Sequence, residues 1–145
     1  MLAEKTPILA ICGSHQLLSN MNGADVKSVE GGPYAGSFAV NFTPEGRSCP
    51  LLANIADGAL FQFANTEQVM DVPKGSTLLA TSGRVSNAAL DFGHHCYSTQ
   101  FHPEGTHETL SAVWRFKAPE NQKQYVPEGN GKCLIENFFR IISSQ

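Results

Sequence analysis

The stretch Pro7-Ile8-Leu9-Ala10-Ile11-Cys12-Gly13-Ser14-His15-Gln16-Leu17-Leu18 decides the reading of the fold. Ile8 to Ile11 is a continuous apolar run, the pattern of a buried strand. Leu17, Leu18 and Met21 then recur at helical spacing, and Asn22-Gly23 offers a helix end. Only Cys12-Gly13-Ser14 lies between the two patterns, so the chain turns sharply there. A thiol on such a turn projects from the sheet edge beside the positive end of the helix, which favours the thiolate. This is the thiol counterpart of a nucleophile elbow. A small buried cysteine closing a core strand fits the same residues, and the elbow alone leaves both readings open.

Working outward, residues 24–42 read as short strands broken by Gly31-Gly32-Pro33 and Gly36. Pro44-Glu45-Gly46 reads as a turn, and Cys49 to Ile55 as a short helix. Ala59 to Ala64 and Thr77 to Thr81 read as strands. Ala88 to Phe92 and His95 to Phe101 read as a hairpin about Gly93. His107 to Phe116 fits either helix or strand. Lys117 to Lys132, with two prolines and two glycines, reads as a loop. Cys133 to Ile142 reads as an amphipathic helix with Leu134, Phe138 and Ile141 on one face. Strand, elbow and helix, then several strands and a closing helix, make an α/β layering.

The 145 residues suffice for one domain, taken as 1–145. Hydrophobic residues make up 41% and charged residues 16%, as in a water-soluble globular protein. A net charge of −3 with scattered Lys and Arg gives no footprint for nucleic acid. No apolar run has the length of a membrane span, and no signal-peptide pattern opens the chain, so a cytoplasmic location is expected. Cys12, Cys49, Cys96 and Cys133 form no C-x-x-C pair, so free thiols are expected.

A thiolate nucleophile needs a base and an orienter for that base. His15 follows Cys12 by three residues but is expected to lie along the helix. His94 and His95 sit in a polar turn. His102 differs: in Gln100-Phe101-His102-Pro103-Glu104 it follows a strand, and Pro103 stiffens the turn. Glu104, two residues on, can hold one imidazole nitrogen and leave the other free. An incidental strand-end histidine fits as well. His94, His95, Cys96, His102, Glu104 and His107 are close in sequence, but no metal-ligand spacing falls on a helix. Neither a metal nor a cofactor is expected.

Together, the elbow Ile11-Cys12-Gly13-Ser14-His15-Gln16 and, ninety positions later, Gln100-Phe101-His102-Pro103-Glu104 resemble the class I glutamine amidotransferase family. Its members carry G-x-C-x-G-x-Q and, later, Q-F-H-P-E. Phe63 to Ser82 and Gly131 to Phe139 are similar to further family segments. The resemblance implies a flavodoxin-like α/β fold, with a mostly parallel sheet flanked by helices and a C-terminal mixed β region. It implies hydrolysis of L-glutamine, with ammonia passed to a synthetase partner or fused domain. Cys12 would be the nucleophile, His102 the proton shuttle and Glu104 its orienter. The Gly13 N–H would be an oxyanion donor, and Gln16 and Thr66, with Glu67 beside it, would be substrate contacts.

Ala10 and Ser14 stand where the family has glycine. Family members also carry an α/β stretch before the elbow, with a Gly-Gly-Pro loop that supplies the other oxyanion donor. The expectation is therefore a C-terminal portion of the family domain, incomplete at its N-terminus. Gly31-Gly32-Pro33 comes too late in the order to take that loop's place. Two alternatives accompany the resemblance: a weakly active or inactive remnant serving as a binding or regulatory module, and a thiol hydrolase of γ-glutamyl or peptide bonds.

Overall fold

In the computed structural model, which describes residues 6–144, the apolar run is strand β1 (Ile8–Ile11) and the elbow leads directly into helix α1 (Gly13–Met21). The chain continues through β2 (Val26–Ser28), β3 (Tyr34–Ala39), β4 (Asn41–Phe42), α2 (Pro44–Arg47), β5 (Leu60–Asn65), β6 (Glu67–Val69), β7 (Thr77–Ser82), β8 (Val85–Asp91) and β9 (Cys96–Thr99). Helices α3 (His107–Val113) and α4 (Asn130–Ser143) close it. The outer limits of the single-domain reading, residues 1–5 and 145, lie outside the described residues.

A five-stranded sheet in the order β1-β9-β8-β7-β4 is the backbone of the fold, with two-stranded ribbons β2-β6 and β3-β5 beside it. The α/β layering expected from the sequence is present. The sheet itself is mixed: β1 and β9 pair in parallel, while β8 pairs antiparallel with both β9 and β7, and β4 antiparallel with β7. Short turns join β7 to β8 and β8 to β9, which makes those neighbours antiparallel, whereas β1 and β9 lie far apart in the chain and can pair in parallel. The main core joins Leu9 of β1 and Tyr97 of β9 to Phe61, Phe63, Phe101 and, from α4, Leu134 and Ile141.

Helix α1 packs against the sheet by an unexpected face. Leu17 and Met21 are 62% and 74% exposed, while His15 and Ser19 are fully buried. For His15 the strands beneath supply polar partners, whereas the Ser19 hydroxyl is buried without one among the described residues. His15 Nδ1 pairs with Ser98 Oγ at 2.7 Å, and Nε2 donates to the Asn87 carbonyl at 3.1 Å. Burial lowers the pKa of His15 to about 4, partly offset by the Asn87 carbonyl. The Asn22-Gly23 helix end is present, with Gly23 at φ +93°.

Three local expectations change. Pro44-Glu45-Gly46 belongs to a short helix, not a turn, because Pro44 occupies the first helical position and the Thr43 hydroxyl accepts from Gly46 N at 3.0 Å. The segment expected as a loop from Lys117 carries a 3-10 helix, Pro119–Gln124, and α4 begins at Asn130 rather than Cys133. The Glu128 carboxylate accepts from the N–H groups of Asn130 and Gly131 and caps α4. Residues 107–113 resolve as helix, started by a capping box between Thr106 and Thr109.

Candidate active site

Parallel pairing sets Ile11 opposite Thr99, so β1 and β9 end on the same side of the sheet. Cys12 follows β1 directly, and His102 stands three residues past the end of β9. The backbone N–H of Cys12 donates to the Thr99 carbonyl at 2.8 Å. Cys12 holds φ 52°, ψ −105°, a region that L residues rarely occupy. The tight turn into α1 imposes it, and the Gln16 N–H donates to the Cys12 carbonyl at 3.0 Å in the first helical turn. Gly13 opens the helix and is exposed; a side chain added there would meet nothing within 4 Å.

His102 is held at three points. Its N–H donates to the Gln62 carbonyl at 2.8 Å, its carbonyl accepts from Gly105 N at 3.2 Å, and its ring Nδ1 lies 2.9 Å from Glu104 Oε2. With Nδ1–H on the carboxylate, Nε2 is left for another partner. Burial works against protonation of this ring, but hydrogen bonds to Cys12 and Glu104, together with their charges, outweigh it. The pKa is pushed up to about 9.

The seat of the turn is built from below. Phe101 is fully buried against Phe61 and Phe63, with ring centroids 4.2 and 5.6 Å away. Gly131 of α4 passes so close to Pro103 that a Cβ there would lie 2.6 Å from the Pro103 carbonyl oxygen. Gln62 is buried under the site, donates to the Val126 carbonyl at 2.9 Å and accepts from Ser37 Oγ at 2.6 Å.

Gln16 Nε2 donates to the Glu67 carbonyl at 3.0 Å and to Gln100 Oε1 at 3.2 Å. Gln100 is fully buried, and its own Nε2 lies 3.6 Å from Cys12 Sγ. Thr66 is exposed at the junction of β5 and β6, where its carbonyl accepts from Val29 N at 2.9 Å. It therefore stands one residue from the carbonyl that holds Gln16.

Cys12, His102, Glu104, Gly13 and Gln16 are thus gathered at one end of the β1–β9 pair, with Thr66 at its margin. His15 is turned away from Cys12 into the sheet. His94 and His95 are exposed on the β8–β9 turn, at the opposite end of β9 from His102. Gly31-Gly32-Pro33 is clasped by Arg84, whose guanidinium donates to the carbonyls of Glu30, Gly32 and Pro33. All four cysteines are free. Cys49 and Cys96 are buried, and burial pushes both thiols up. The sequence reading missed Gln100 and Gln62 as supports. Gln100 stood inside the quoted motif, but its contact with Cys12 depends on β1 and β9 being neighbours.

The family model "Glutamine amidotransferase class-I" matches residues 1–118. Among curated proteins, the chain is similar to a GMP synthase [glutamine-hydrolyzing] of Nostoc punctiforme, with 31% identity over 70% of this chain and 18% of that protein. It is also similar to one subunit of the GMP synthase [glutamine-hydrolyzing] of Halobacterium salinarum, with 30% identity over 73% of this chain and 57% of that one. The chain thus spans less than two thirds of the length of either relative. Among solved structures, a glutamine amidotransferase of Thermotoga maritima shares the fold, with TM-score 0.69, 22% identity, and coverage of 96% of this chain and 57% of that one. No helix among the described residues is long and apolar enough to cross a membrane.

Proposed function

The chain belongs to the class-I glutamine amidotransferase family, and from that premise we propose that it hydrolyses L-glutamine to glutamate and ammonia through Cys12. The observation that carries the proposal is the meeting of the Cys12 elbow, which follows β1, and the paired His102 and Glu104, which follow β9, at the shared end of those parallel strands.

The reaction runs from a Cys12 thiolate paired with a His102 imidazolium. The sulfur attacks the side-chain carboxamide carbon of glutamine, and the carbonyl oxygen takes the negative charge. The Gly13 N–H, in the first turn of α1 where backbone donors have no helical partner, faces that oxygen. Collapse breaks the C–N bond while His102 gives its proton to the leaving nitrogen, releasing ammonia and a γ-glutamyl thioester. Neutral His102 then takes a proton from water as the water attacks the thioester. Collapse of the second adduct expels the Cys12 thiolate and glutamate and restores the ion pair. Glu104 keeps the imidazole oriented and favours its protonated form throughout.

Gln16 and Thr66 complete the glutamine site. Both hydrogens of the Gln16 amide are engaged, so its Oε1 is the atom offered to the substrate ammonium. The ammonia passes to a synthetase partner or fused domain, a reading supported by the names of the two GMP synthase relatives.

Glutamate and ammonia release from glutamine, measured with and without a candidate synthetase, tests the proposal. Release is expected in the wild-type protein and lost in Cys12→Ala. Equal release by Cys12→Ala would overturn it.

A further inference from the structure

We infer that Gln16 and Gln100 form a one-directional amide relay that begins at the Glu67 backbone carbonyl and ends with an N–H donor on the Cys12 sulfur. A backbone carbonyl can only accept. Gln16 must therefore turn its NH2 toward Glu67, where the distance is 3.0 Å. The same NH2 reaches Gln100 at 3.2 Å, so the Gln100 atom facing it is the acceptor Oε1. The other end of that planar amide is then the donor Nε2, and it stands 3.6 Å from Cys12 Sγ. The direction of every link follows from the fixed polarity of the Glu67 carbonyl.

Gln100 is fully buried, so its amide has no water to exchange with and is committed to this relay. An N–H held against sulfur stabilises the thiolate and fixes its rotamer for attack. In the proposed reaction His102, held by Glu104 at 2.9 Å, is the titratable partner of the same sulfur. The sulfur thus has one donor that titrates and one that does not. Gln100 is a fixed donor at the sulfur, and Gln16 is a positioning residue that acts through it. The inference rests on Cys12 being the nucleophile of the proposed reaction.

Alkylation of Cys12 by iodoacetamide, followed by peptide mass spectrometry across a range of pH, tests the relay without glutamine present. Two variants are compared with the wild-type protein. Gln100→Met removes the donor. Gln16→Glu cannot donate to Gln100 and turns that amide so that its oxygen faces the sulfur. In both, the rise of alkylation rate with pH is expected to move to higher pH. At neutral pH the rate is expected to fall about tenfold, the size set by one hydrogen bond to a charged acceptor. If Gln100→Met fails to fold, as judged by thermal unfolding, Gln16→Glu alone decides. Alkylation profiles in folded variants that match the wild type would overturn the relay. A shifted profile in a protein that releases no glutamate would uphold the relay and sink the glutaminase reading. Wild-type glutamate release with unshifted variant profiles would do the reverse.

Discussion

The backbone N–H of Cys12 donates to the carbonyl of Thr99 at 2.8 Å, one step past the Ile11–Thr99 pair of the parallel ladder. That bond ties the elbow to the strand whose following residues are Gln100, Phe101 and His102. The separation of thiol and imidazole is therefore set by a sheet register rather than by two independent loops. What the register leaves free is the rotation of the imidazole, and Glu104 fixes it at 2.9 Å.

Glu104→Gln should keep the fold and weaken the reaction. The amide still takes a hydrogen bond but no longer favours imidazolium. The His102 pKa falls from about 9, so the alkaline limb of the pH–kcat profile moves to lower pH. The expected loss in kcat at neutral pH is about 100-fold, with KM little changed. Steady-state kinetics across pH checks both.

Gly131→Ala should displace the His102 turn from outside the site. The new Cβ would stand 2.6 Å from the Pro103 carbonyl oxygen, closer than packing allows, and the atoms it meets are backbone. A cost of about 1–3 kcal/mol in stability is expected, as for overpacked cores. Glutamate release should fall more than the unfolded fraction explains. Denaturant titration alongside activity separates the two effects.

His15 should make the fold sensitive to acid. Its pKa is about 4 in the folded chain, against 6.5 as the ordinary value. Between those values the unfolded chain binds a proton that the folded chain resists. Stability is therefore complete above about pH 6.5 and falls as the pH drops toward 4. The contribution lost between about pH 7.5 and about pH 5 is on the order of 2 kcal/mol. His15→Gln should be less stable at neutral pH but should lose less on acidification. Urea midpoints at the two pH values give the comparison.

The four thiols should differ sharply toward a chloroketone analogue of glutamine. Cys49 and Cys96 are buried with their thiols pushed up by burial, and Cys133 is half-buried. Cys12 should react at least about tenfold faster than any of them. Timed labelling with peptide mapping reports the order, and glutamine should protect Cys12.

Much of this site was readable in the residues because its parts are local. An apolar run meeting a helix at Cys12, and a histidine and carboxylate two apart around Pro103, are patterns of a few residues each. The elements read least well depended on distant partners. The inward face of α1 carries His15 because β8 and β9 present the Asn87 carbonyl and the Ser98 hydroxyl beneath it, which no periodicity in α1 records. Gly129 and Gly131 look like helix breakers, yet α4 begins among them because the Glu128 carboxylate caps the first turn and Gly131 must clear Pro103. Gln100 looks like one more residue of a motif until β1 and β9 are set side by side.

At the centre of the proposed chemistry stands Cys12, whose sulfur takes the glutamyl group. Mixing the protein with glutamine, quenching in acid during turnover and mapping peptides by mass spectrometry tests this most directly. A γ-glutamyl adduct on the peptide carrying Cys12 is predicted, absent from Cys12→Ala and accumulating further when hydrolysis of the thioester is slowed. Glutamate release with no adduct on Cys12, or with the adduct on Cys133, would contradict it.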